Sequence, residues 1–225
     1  MLDNPWIASM VVGLMDGIAD PCGISVLLFL ISQLIVMSRK RILMASFLYS
    51  FAMFLTYLIF MLGLVNIPPS VITSIRGFLI ILFIIWGALE IKDFFFYKAV
   101  FSLEIPDYIK KYIFKFAQEA TIPAIILVGV LASIGEMPCS AGFSVFFTLD
   151  YLPKHGITSN EALPYLVVYN IFGVVPILVI AFSIYYGLGK IEKIQEKREE
   201  ISKIIHLIAG VLLISIAFLM LLGVF

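Results

Sequence analysis

Six apolar stretches, each long enough to cross a bilayer as a helix, take up most of this 225-residue chain. They run approximately over Trp6–Met37, Ile42–Val65, Val71–Ile91, Ile122–Leu149, Ala162–Leu188 and Ile204–Phe225. A spanning helix needs about 20 apolar residues. Lipid offers no partner to a free backbone N–H or C=O, so helices are the expected element throughout. The predicted fold is an all-α polytopic membrane protein with six transmembrane helices in a single membrane domain over 1–225. Composition agrees: 62% of residues are hydrophobic and 13% charged. A soluble core of this size cannot bury that excess. The formal net charge is zero and no basic patch is interleaved with aromatics, which argues against nucleic acid as a partner. No Lys or Arg precedes the first apolar run, so it reads as a retained span rather than a cleaved signal peptide.

Charge sets the orientation. Arg39, Lys40 and Arg41 follow the first run. Lys92, Lys98, Lys110, Lys111 and Lys115 follow the third, and Lys190, Lys193, Lys197, Arg198 and Lys203 follow the fifth. Thirteen of the 15 basic residues therefore share one side, leaving Arg76 and Lys154 on the other. The positive-inside rule places both termini outside the cytoplasm of a multi-pass protein in the cell membrane. Asn66–Ser70 reads as a short outer turn. Residues 92–120 form a longer cytoplasmic connector, whose Pro106–Lys115 stretch alternates apolar and lysine residues as an interfacial amphipathic helix does. Residues 190–203 read as a charged helical extension with a solvated face.

The two longest runs, the first and fourth, each contain a Pro-Cys dipeptide, Pro21-Cys22 and Pro138-Cys139, and these are the chain's 2 cysteines. Proline removes a helical N–H and clashes with the preceding turn, so each site predicts a broken helix. Span counting places both sulfurs near the bilayer midplane. At the first break Asp20 is a natural N-cap, Pro21 the first helical residue and Cys22 the second, with Gly23 next. A helix N-terminus favours a thiolate, the nucleophile of exchange chemistry, whereas apolar burial opposes it.

Cut near residue 110, the chain gives halves of about 1–100 and 110–225, each with three runs and a Pro-Cys in its first. Three is odd, so the halves insert in opposite orientations as inverted-topology repeats. Ser25-Val26 pairs with Ser144-Val145, Tyr49-Ser50 with Tyr169-Asn170, and Gly77 with Gly210. Such symmetry brings Cys22 and Cys139 toward a shared axis.

Asp20 and Glu136 are acids deep in a membrane, and each reads as a proton acceptor for thiols; Asp20 also reads as a simple helix cap. Asp16, one turn before Asp20, is expected to face the same cavity or lie near water. Asn170, Gln33, Ser50 and Thr56 read as hydrogen-bonding glue between helices, and His206 as an interfacial residue at the cytoplasmic end of the last run. Gly13, Gly17, Gly129 and Gly135 flank the breaks and permit close packing or bending. Two cysteines make neither a zinc-finger spacing nor a CxxC, so no resident metal or cofactor is called.

Six spans, outer termini and one Pro-Cys in each of the first and fourth spans resemble the cytochrome c biogenesis protein CcdA. They also resemble the central membrane domain of the thiol:disulfide interchange protein DsbD. The resemblance runs over the whole chain and rests on the two Pro-Cys sites. It implies that Cys22 and Cys139 cycle between dithiol and disulfide. Electrons then pass from a cytoplasmic thioredoxin to an extracytoplasmic thioredoxin-like protein, for cytochrome c maturation or disulfide reduction. Ser25 and Gly142 stand near places where the family has a further proline. The alternative is a small permease for an ion, a metabolite or a soft metal such as Cu(I), with thiolates and Met137 as ligands.

Overall fold

A computed structural model of the chain describes residues 4–34, 39–95, 107–119, 121–186 and 198–222, almost all of them helical, with no strand among them. Helix α1 (Pro5–Ile18) is followed by α2 (Pro21–Leu34), α3 (Arg39–Val65), α4 (Pro69–Phe95) and the short α5 (Asp107–Glu119). Helix α6 (Ile122–Phe146) passes through a π-helical turn, Phe147–Tyr151, into α7 (Leu152–Lys154). Helices α8 (Ser159–Tyr185) and α9 (Arg198–Leu222) complete the chain. Residues 96–106 of the connector expected on the cytoplasmic side and 190–197 of the charged extension lie outside the described residues.

Four helices, α3, α4, α8 and α9, are each long and apolar enough to cross a membrane, and the number rises to six if each of two bent pairs is one span. The chain is therefore an all-α, multi-pass membrane protein. The bends are large. Pro5–Ile18 and Cys22–Ile31 meet at 58°, and Ile122–Met137 and Ala141–Lys154 at 75°. Both fall where the sequence carries Pro-Cys. Pro164 and Pro176, by contrast, leave α8 unbroken.

Local chemistry accounts for the helix starts. Asn4 Oδ1 accepts from the Trp6 amide at 3.0 Å, with Pro5 at the first helical position of α1. Thr158 and Glu161 form a capping box at α8. The long helices leave apolar stripes outside. On α3, Met44, Phe47, Phe51, Leu55 and Ile59 are exposed at intervals of three and four residues, the face that lipid covers.

The most extensive pairings are α4 with α9, α1 with α8, α3 with α6 and α3 with α8. Glycine sets three of these seams. A methyl group added at Gly13 or Gly17 of α1 would strike the backbone carbonyls of Tyr169 or Gly173 in α8. One at Gly129 of α6 would lie 2.9 Å from the Tyr49 carbonyl of α3. Gly87 and Gly210 face each other across α4 and α9. Gly77, matched to Gly210 by its place in the sequence, has open space beside it, and Gly87, three turns further along α4, is the residue against which Gly210 packs.

Side-chain contacts show which helix ends lie together. The Trp6 ring packs on Tyr165 at 4.6 Å, and Ser159 Oγ donates to the Val65 carbonyl at 2.9 Å. Arg76 donates to the Met220 carbonyl at 3.0 Å and pairs with Asp150 at 3.2 Å. One end of the bundle thus collects the starts of α1, α4 and α8 with the ends of α3 and α9. An apolar cluster at this end includes Ala8, Met61, Ile72, Leu152, Ala162 and Met220. A second cluster, with Leu27, Ile31, Ile42, Ala45, Ile113, Ile125 and Ile184, fills the opposite end. Ile113 and Ala117 of α5 are fully buried there while Tyr108, Lys111, Tyr112 and Lys115 stay exposed, so Asp107–Glu119 is the amphipathic helix its pattern predicts.

The half-helices after the two breaks differ from those before them. Residues 141–152 are buried without interruption, and so are most described side chains of α2. Helix α1 keeps Ile7, Met10, Val11, Met15 and Ile18 exposed. The segments that follow each Pro-Cys are interior elements enclosed by protein.

Candidate functional site

Between the two apolar clusters lies a layer of buried polar groups at the helix breaks. Helix α1 ends at Ile18, and α2 starts at Pro21. Asp20 caps the new helix: its Oδ1 accepts from the Gly23 amide at 2.9 Å, and its carbonyl accepts from Ile24 at 3.4 Å. Pro21, Cys22 and Gly23 are thus the first three helical residues, as the N-cap argument requires. Cys22 is 6% exposed and belongs to the second apolar cluster. The side chains of Pro21, Pro138 and Cys139 lie outside the described ones; the backbone at 138–140 carries the 75° bend.

Glu136 reaches the same place from α6. It is fully buried and faces Asp20, Cys22, Asp16 and the Tyr57 hydroxyl. Gly23 is what lets the two acids converge. A Cβ at that position would collide with Asp20 Oδ2 and sit 3.0 Å from both Glu136 Oε2 and the Met53 methyl. Tyr49 closes the group from α3, its hydroxyl donating to the Gly23 carbonyl at 3.1 Å. Cys22, Asp20, Gly23 and Glu136 are therefore brought together, and Gly135 is buried beside Glu136.

Asp16 lies one turn before the break and is also buried. Its Oδ2 accepts from the Tyr169 hydroxyl of α8 at 2.8 Å and from Ser144 of α6 at 3.4 Å. Asp16 and Asp20 line a cavity of about 30 Å³ with Tyr57, Tyr169 and Asn170, enough for a water molecule. The expectation that Asp16 shares a cavity with Asp20 is met.

Three expectations need correction. His206 is not interfacial: it is fully buried, and its Nδ1 bonds to Glu90 Oε2 of α4, which is equally buried. Thr56 does not bridge helices, since its hydroxyl donates to Ala52 in its own helix at 2.9 Å. Ser50 Oγ makes no hydrogen bond among the described residues. Asn170 does bridge: it donates to Leu166 at 2.8 Å within α8 and to Met61 Sδ of α3 at 3.3 Å. The Gln33 side chain lies outside the described ones.

Tyr57 and Glu90 drew no notice in the sequence. Tyr57 sits in a run of aromatic and aliphatic residues, and only the helix packing turns it inward. Glu90 precedes Lys92 and Asp93 and reads as the charged end of a span. A signal was present: a lone acid ahead of the first basic residue lies on the membrane side of the boundary. Comparison of the chain with protein-family models, with curated proteins and with solved structures finds no match.

Proposed function

We propose that this protein carries reducing equivalents across the cell membrane by thiol-disulfide exchange at Cys22 and Cys139. The donor is a cytoplasmic thioredoxin and the acceptor an extracytoplasmic thioredoxin-like protein, as in the CcdA and DsbD families. The chain crosses six times, with both termini outside, as two inverted halves of three spans.

One observation carries the reading. The two large bends fall at the two Pro-Cys sites, and the surrounding packing repeats when the halves are exchanged. Helix pair α1–α8 then becomes α6–α3, while α3–α8 and α4–α9 each map onto themselves. The fine contacts follow the same rule. Gly13 packs on Tyr169 as Gly129 packs on Tyr49, and Gly87 and Gly210 pack on each other. The ends joined by Trp6–Tyr165, Val65–Ser159 and Arg76–Asp150 agree with six alternating crossings.

The chemistry proceeds in two exchanges. A thioredoxin thiolate attacks the Cys22–Cys139 disulfide, and its second thiol resolves the mixed disulfide. Thioredoxin leaves oxidised and the membrane pair is left as a dithiol. One of these cysteines, as thiolate, attacks the outer partner's disulfide, and the other resolves it. Two electrons have crossed, and the disulfide is restored. Asp20 and Glu136 flank Cys22, placed to take the thiol proton before attack and to return one to the departing sulfur. Because one pair serves both faces, the halves must open alternately.

The test uses the purified chain in vesicles with thioredoxin enclosed on its cytoplasmic side and a thioredoxin-like acceptor outside. Cys22→Ser and Cys139→Ser should each abolish acceptor reduction, and thiol trapping should reveal a reversible disulfide in the parent protein. Full transfer by Cys22→Ser would sink the mechanism. Metal-dependent protection of both thiols with no disulfide would favour the permease.

A further inference from the structure

Asp16 occupies an unfavourable place for an acid. It lies in the last turn of α1, where a helix presents unsatisfied carbonyls and the negative end of its dipole. That turn contains no basic residue. Asp16 is 7% exposed, so bulk water does little to relieve its charge.

Its two oxygens are used differently. Oδ2 is held by the hydroxyls of Tyr169 and Ser144. Oδ1 is buried and has no hydrogen-bond partner among the described residues. Asp16 also lines the cavity between α1, α3 and α8, and no Lys, Arg or His lines it among the described residues. Two carboxyls at the end of a broken helix thus face a water-sized space without a protein cation.

We propose that Asp16 is a proton-binding site, loaded and unloaded through water in the cavity it lines. Ends of broken membrane helices hold protons or sodium ions, and the geometry favours the proton. One oxygen of Asp16 is already engaged by two donors, the other is buried with no partner among the described residues, and the cavity has room for about one water. A hard metal ion needs roughly six oxygen ligands. The titratable groups facing Asp16 are Asp20 at the α1–α2 break, Glu136 on α6, Tyr57 on α3 and Tyr169 on α8.

For its use the site rests on the conduit reading. A neutral Asp16 allows the glycine seam between α1 and α8 to stay closed. A charged Asp16 draws water in and favours its opening. The proton and the thiol cycle then share one moving seam.

Infrared spectra of the full chain in lipid nanodiscs, recorded across pH, report protonated carboxyl groups directly. A titrating carboxyl band should disappear in Asp16→Asn and persist in Asp20→Asn. Tyr169→Phe keeps the acid but removes a donor to Oδ2, and should move the midpoint about tenfold in proton concentration. Replacing potassium chloride by sodium chloride at equal ionic strength should leave the midpoint in place. An unchanged spectrum in Asp16→Asn, or an unmoved midpoint in Tyr169→Phe, overturns the proposal. A sodium-dependent midpoint overturns it in favour of a metal cation. Cys22 exchange is followed on the same samples. Exchange without the Asp16 band removes the proton site and leaves the conduit. The band without exchange removes the conduit and leaves the site.

Discussion

Glu90 and His206 meet side chain to side chain between α4 and α9, both fully buried. Removing one member leaves the other buried without its partner, which costs about 3–5 kcal/mol, whereas replacing both with apolar residues is close to neutral. Glu90→Leu and His206→Leu should each unfold well below the parent protein in detergent. The double leucine variant should recover most of that loss in the same thermal scan; a double variant no better than the singles would show that the pair is not the unit. Sequence made Asp20, Pro21, Cys22 and Gly23 readable because capping acts within one turn. It could not join His206 to Glu90 across 116 positions, or Tyr169 to Asp16 across 153. A histidine just past a charge cluster looks like a boundary residue until its acid partner is located.

At the scale of elements, the apolar runs gave helices and the two Pro-Cys sites marked the bends, whereas Pro164 and Pro176 left α8 continuous. Which helices pair was less accessible, since it depends on small residues whose neighbours lie on distant segments. The seams make a direct prediction. In Gly17→Ala the new methyl meets the backbone carbonyl of Gly173, which cannot swing aside. Overpacking of this kind costs about 1–3 kcal/mol. Gly77 faces open space, and Gly77→Ala should cost nothing. Thermal unfolding of the two variants side by side decides the point, and equal stability would contradict the α1–α8 packing. Position alone could not show this contrast: several glycines punctuate these runs, and only packing shows which one a partner helix touches.

For the whole molecule, charge asymmetry predicts a direction that can be read in intact cells. In a Cys22→Ser/Cys139→Ser background, a cysteine at Asn66 or Gly156 should react with a membrane-impermeant maleimide added outside. One at Lys111, exposed on α5, should react only after the cells are opened. Labelling of Lys111→Cys from outside would invert the topology. The two apolar clusters have a consequence for this molecule as a barrier. One closes the end that holds Trp6 and Arg76, the other the end that holds α5, and the polar layer lies between them. Each is a separate plug of interlocked side chains. In the proposed cycle, one end loosens to admit a partner while the other plug still blocks the aqueous path, so exchange at the thiols would leave ion gradients intact.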